Sequence, residues 1–153
     1  MSDAADLTAA QALCDLYVPQ TVEPAHTAAE RDAVLARVKR ASTWAASTLY
    51  QVGDVVLPTV RNGHRYRAVT GGTSSTTEPN FSRQTGSLVS DGSDLKWAED
   101  GPDYANIYDV RAALHALCSL KLARASDWHT AEAHRVREHW AAMVQHFGPI
   151  QVG

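Results

Sequence analysis

Apolar positions recur at helical spacing towards both ends of the chain and at roughly alternate positions in its middle, which predicts helices flanking a β-rich segment. From Asp6 to Tyr17, residues Leu7, Ala10, Leu13, Cys14 and Tyr17 share one helical face. Pro19 and Pro24 interrupt the pattern. Thr27-Ala28-Ala29-Glu30 then has the form of a capping box, in which hydroxyl and carboxylate satisfy first-turn N–H groups. The helix it opens is expected to reach about Arg40, burying Val34, Leu35 and Val38 and leaving Arg31, Arg37, Lys39 and Arg40 in solvent.

After Trp44 the period shortens, and Gly, Ser and Thr become frequent. Strands are expected at Val55–Leu57, His64–Val69 and Leu95–Ala98, with Asn62-Gly63 as a hairpin turn because that pair tolerates positive φ. Gly71 to Gly86 reads as a long loop. Helical spacing returns at Asp103, a candidate N-cap, with Ile107, Val110, Leu114, Leu117 and Lys121 in series. Ser126 or Asp127 opens a last helix with an apolar stripe of Val136, Trp140, Met143, Val144 and Phe147, ended by Gly148-Pro149. The short link around Ala125–Asp127 implies an antiparallel pairing of the last two helices. The expected class is α+β: a bundle of about four helices carrying a small inserted antiparallel β-module. Residues 1–43 and 103–153 would form one helical domain, with the module at 44–102.

A chain of 153 residues can bury one sizeable core, and 44% hydrophobic with 20% charged residues is an ordinary globular balance. No apolar run approaches the roughly 20 residues of a membrane span, and the opening M-S-D-A-A-D carries acids where a secretory signal has bases. The net charge of −3 hides a gradient. Asp3, Asp6, Asp15 and Glu23 stand without a Lys or Arg in residues 1–26, whereas residues 27–43 are net basic. This is not the polybasic pattern of a nucleic-acid binder. Cys14 and Cys118 lie in apolar helical patterns without metal-ligand spacing and read as buried free thiols.

Four histidines, His129, His134, His139 and His146, lie on the last helix. The first three are five residues apart, a rotation of about 140° each, and so cannot share the face that a zinc site needs. No serine stands in G-x-S-x-G, and no glycine run has the phosphate-cradling form. Arg61, Arg65 and Arg67 have Asp54, Asp91 and Asp94 nearby in sequence and read as a solvated face. Neither catalytic residues, a metal site nor a cofactor is expected.

The most specific stretch is W-A-A-S-T-L-Y-Q-V-G-D-V-V, then N-G-H-R-Y, then a closing Trp. Trp44, Tyr50, Gly53, Asp54, Val56, Gly63, His64, Tyr66 and Trp97 occupy the positions that carry a resemblance to small chitin- and cellulose-binding modules of the family 5/12 type. Trp44, Tyr50, Tyr66 and Trp97 would fill its small core, with Gly53 and Asp54 in a turn. The resemblance implies sugar stacking on exposed rings just after the G-H-x-Y strand, yet Ala68 to Ser75 holds no ring, and Phe81 is the only aromatic in the following loop. Chitin and cellulose binding are therefore not expected.

The fuller wording, with G-G-T-S, E-P-x-F and D-G…W, is similar to modules of tailed-bacteriophage structural proteins. With helices on both sides the chain resembles a phage head–tail connector (adaptor) subunit. That resemblance implies a non-enzymatic virion neck protein, assembled in the host cytoplasm as a ring, twelve-fold in such proteins. It would bind portal and the next tail or neck protein, pass DNA without reading its sequence, and contact no membrane. The acidic N-terminal region would face the DNA channel. Trp140, Phe147, Pro149, Ile150 and Val152 are the candidate docking residues, and the segment from Phe147 either reaches a partner or packs on the chain's own helices. Trp128, Trp140 and Phe147 together exceed what so small a helical part readily buries, so a neighbouring subunit could complete that surface. The alternative implied by the module is a carbohydrate-binding module of a phage tail or head-decoration protein.

Overall fold

A computed structural model describes residues 3–125 and 131–148. Among them are four helices, α1 (Asp3–Tyr17), α2 (Ala28–Arg37), α3 (Val110–Ala125) and α4 (Ala131–Phe147). Seven strands lie between α2 and α3: β1 (Ser42–Thr43), β2 (Leu49–Tyr50), β3 (Val55–Leu57), β4 (His64–Thr70), β5 (Gly72–Thr73), β6 (Leu88–Asp91) and β7 (Leu95–Pro102). The protein is therefore α+β. The chain divides into two compact units, one of residues 1–6 and 40–107 and one of residues 7–39 and 108–153.

In the first unit, five strands form a mixed sheet in the order β1-β3-β4-β7-β6, with β1 parallel to β3 and the other pairs antiparallel. β2 and β5 form a separate antiparallel pair. The three strands expected from the alternating pattern are present, with β4 and β7 extending further than the pattern indicated. β1, β2, β5 and β6 were not foreseen, and β5 lies within the expected loop. Alternation along β4 and β7 turns Tyr66, Ala68, Leu95 and Trp97 into the core. Gly63 closes the β3–β4 hairpin with a φ of 86°.

The second unit holds α2, α3, α4 and α1 from Leu7 onwards. The capping box forms as the sequence indicates, with Thr27 Oγ1 accepting from Glu30 N and the Glu30 carboxylate accepting from Thr27 N. α2 stops at Arg37 rather than Arg40, because the chain turns into a bridge between Lys39 and Tyr108. Arg31 is buried rather than solvated, held by Asp15 at 2.6 Å and Asp32 at 2.8 Å. Leu35 is buried, whereas Val34 and Val38 are only half-buried.

α3 begins at Val110, not at Asp103. Asp109 caps it, its carboxylate accepting from Ala112 N and its carbonyl from Ala113 N. Ile107 therefore precedes the helix, although it is fully buried. α3 and α4 run antiparallel: Arg111 at the start of α3 donates to the carbonyls of His146 and Gly148, and Arg137 of α4 donates to the carbonyl of Ala125. Both cysteines are free and buried, and burial raises each thiol to about 11.

The chain passes into the β-rich unit at Arg40 and leaves it at Ile107, and these two residues are paired, Arg40 N donating to Ile107 O at 2.7 Å. No helix among the described residues is long and apolar enough to cross a membrane.

Gly92, at the β6–β7 turn, has a φ of 73°, and a Cβ there would lie 2.4 Å from the Thr73 carbonyl. Gly53 also has positive φ, at 96°, but nothing lies within 4 Å of its Cβ position. Left-handed backbone costs an L-residue about 1–2 kcal/mol. Gly53→Ala is expected to lose about that much stability in urea melts, and Gly92→Ala clearly more. Equal midpoints for the two variants would show that the turn at Gly92 relaxes freely.

Candidate functional site

The aromatic residues singled out from the sequence meet in one core. Trp44, Tyr50, Tyr66 and Trp97 are all buried, together with Val56, Ala68, Leu95 and Phe81. Tyr50 stands edge-on to Trp97 at 5.0 Å between centroids, and Phe81 lies between Tyr66 at 4.4 Å and Trp97 at 6.3 Å. Gly53 and Asp54 are exposed in the β2–β3 turn, where the Asp54 carboxylate accepts from Gln51 N.

Asp91 organises this core, although the sequence reads it only as one of the acids near a solvated arginine face. It is 2% exposed. Its Oδ2 accepts from the indole N–H of Trp44 at 2.8 Å and of Trp97 at 2.9 Å, while Oδ1 accepts from Ser75 N at 2.8 Å and Ser75 Oγ at 2.7 Å. Burial alone would raise its pKa, but the bonds from Trp97, Ser75 and Trp44 outweigh burial and hold the carboxyl below its usual value. The signal that could have found it is chemical: two buried indoles each need an acceptor.

The arginines of β4 and its hairpin are ion-paired, but not with the acids nearest in sequence. Arg65 and Arg67 both bind Asp100, at 2.9 and 3.0 Å, and Arg67 foremost holds the Asp100 carboxyl below its usual value. Arg61 binds Asp103 at 2.7 Å and Asp6 at 3.1 Å. The guanidinium groups of Arg40 and Arg65 both lie over the Tyr104 ring, 4.4 and 4.7 Å from its centroid. His64 Nδ1 lies 2.9 Å from Glu99 Oε1, an oxygen that also accepts from Gly101 N. That geometry ties the β4–β7 ends together.

The acids of the N-terminal region differ in exposure: Glu23 is exposed and Asp3 and Asp15 are half-buried. Asp6 is fully buried, Asp3 accepts from Thr43 N and Oγ1, and Asp15 pairs with Arg31. The buried line of α1 is Asp6, Ala10 and Cys14, continued by Val18; of the expected face Ala10 and Cys14 are buried, whereas Leu7 is half-buried and Leu13 and Tyr17 are exposed. Its exposed residues from Thr8 onwards are Thr8, Ala9, Ala12, Leu13, Leu16 and Tyr17, none of them charged.

Of the expected docking residues, Trp140 and Phe147 are buried at 1% and 8% exposure, within the unit of residues 7–39 and 108–153. Phe147 meets Tyr17 edge-on at 5.9 Å, and Trp140 Nε1 donates to the Glu23 carbonyl. Pro149, Ile150 and Val152 lie outside the described residues, as do Trp128, His129 and the expected start of the last helix at Ser126 or Asp127. His134, His139 and His146 are exposed. Among the described residues no three His, Cys, Asp or Glu side chains converge as a metal site would require. No protein-family model, curated protein or solved structure matches the chain.

Each buried N–H left without an acceptor costs roughly 1–3 kcal/mol. Asp91→Ala is therefore expected to destabilise the module by roughly 2–6 kcal/mol through the two indoles alone, read as an early loss of Trp fluorescence in urea. Because the folded carboxyl is depressed, its stabilisation is present above the ordinary aspartate value of about 3.9 and is lost as pH falls below it. Asp91→Asn should remove this share of the acid sensitivity and leave that of Asp100. An unchanged acid profile would contradict this assignment.

Proposed function

We propose that this chain is a non-enzymatic structural subunit of a tailed-bacteriophage virion, a head–tail connector that assembles as a ring under the portal and links capsid to tail. The observation that carries the reading is the uncharged outer face of α1, with Leu16 69%, Tyr17 50% and Leu13 39% exposed. A helix facing only water carries its charges outward, whereas the exposed residues of this one from Thr8 onwards carry none. At 15 residues α1 is about 22 Å long. One such face is smaller than the roughly 800 Å² per partner of a typical stable pair, which suits a contact repeated around a closed ring. In this reading the helices act together as a bundle and form the wall. DNA passes without sequence-specific contact, and the residues from Phe147 onward dock on portal.

The β-module then serves as a scaffold for protein contacts. Every ring in its core is buried, including Phe81, and the half-buried Tyr104 ring has the Arg40 and Arg65 guanidinium groups over it, so the core offers no aromatic face to a sugar. This favours the connector over the carbohydrate-binding alternative.

Light scattering after gel filtration, with and without a portal protein, tests the reading. The wild type should form a ring or a portal complex. Leu16→Glu should yield a monomer of unchanged helicity, and truncation after Phe147 should lose portal binding. A wild type that stays monomeric and ignores portal would refute it, and retention on insoluble chitin or cellulose would revive the alternative.

A further inference from the structure

We propose that His26 is an acid-sensitive latch on the segment joining α1 to α2: its neutral ring lets the segment close over α3, and protonation releases it. His26 is 4% exposed, and neither ring nitrogen has a protein hydrogen-bond partner. Buried polar groups without partners are rare. This one lies in a segment held by its carbonyls. Lys121 Nζ donates to Val22 O at 2.5 Å and Pro24 O at 2.8 Å, Arg124 Nη1 to Ala25 O at 2.6 Å, and Trp140 Nε1 to Glu23 O at 3.3 Å. His26 itself contributes only its backbone N–H, donated to Gln20 O.

Three of those four carbonyl bonds come from fixed cations. The charges that act on the ring are Lys121 and Arg124 from α3, Asp15 from α1 and Glu30 from α2, and Lys121 Nζ in turn lies 5.1 Å from the centre of the Trp140 ring of α4. Neither carboxylate is spare. Asp15 is bound by Arg31 and Gln20, and Glu30 by Arg124 and Thr27, which hold Glu30 at about 2. An imidazolium here would be a third cation with no acceptor of its own. Burial first, then the neighbouring Lys121, push the His26 ring below its ordinary value, in agreement with this geometry.

The sign follows from linkage. A histidine kept neutral by the closed segment favours opening as pH falls below the free-ring value of about 6.5, by up to tenfold in the opening equilibrium per pH unit. Opening would bare Lys121 and Trp140 and remodel the cleft of about 250 Å³ lined by Val22, Glu23, Val136, His139 and Trp140.

Amide hydrogen exchange on the full chain between about pH 7.5 and 5, corrected for intrinsic rates, tests the latch. Protection of residues 20–27 should fall by up to tenfold per pH unit below about 6.5, while β4 and β7 stay unchanged. His26→Gln, which cannot charge, should abolish the slope. A flat wild-type profile, or the same slope in His26→Gln, overturns the proposal. Should the variant not fold, imidazole NMR of the wild type decides: titration of His26 below about 6.5 supports the latch, and titration at or above it overturns it.

Discussion

The carboxylate of Asp91 sets the terms on which the β-module closes. A small sheet with one buried face needs large side chains to fill it, and two of those chosen here, Trp44 and Trp97, each bring an N–H that water can no longer satisfy. One anion answers both, and its second oxygen fixes Ser75. Burying a lone carboxylate costs several kcal/mol, but four donors on two oxygens offset that cost. The same contact ties together the chain before β2, the loop after β5, the end of β6 and the middle of β7. Trp44 and Trp97 are thus fixed in orientation as well as buried, and Tyr50 and Phe81 pack against a ring that cannot turn.

Short-range chemistry was the legible part of the sequence. The Thr27–Glu30 capping box needs only four consecutive residues, and the hairpin turn at Gly63 and strands β3, β4 and β7 follow from local alternation. The short strands β1, β2 and β5 are two residues long, too short to carry a period, and exist because distant partners supply their hydrogen bonds. Charged residues misled for a single reason: composition places them in water. Asp6, Arg31 and Asp91 are all buried, each beside a counter-charge or polar group remote in sequence. The start of α3 was misplaced for a related cause. Asp103 and Asp109 are equally good caps in isolation, but Asp103 is engaged by Arg61.

The uncharged outer face of α1 and the cation-held segment after it reflect the same pairing of charges. Asp15 is half-buried against Arg31, and the exposed residues of α1 from Thr8 onwards are Ala, Leu, Thr and Tyr. Glu30 and Arg124 in turn fix each other beside the segment carbonyls. What remains exposed on α1 from Thr8 onwards is uncharged and largely apolar, a property that favours assembly over solvation.

The pairing of Arg40 with Ile107 bears on how the chain folds. The helical unit is assembled from two stretches separated by the whole β-rich segment, and bringing such stretches together from an open chain carries a loop-closure entropy that slows folding. A β-module that forms first holds its own two ends side by side and presents α2 and α3 to each other as though a tight turn joined them. If the module does form first, the closure cost of joining α2 to α3 is that of a short loop rather than of the whole β-rich segment.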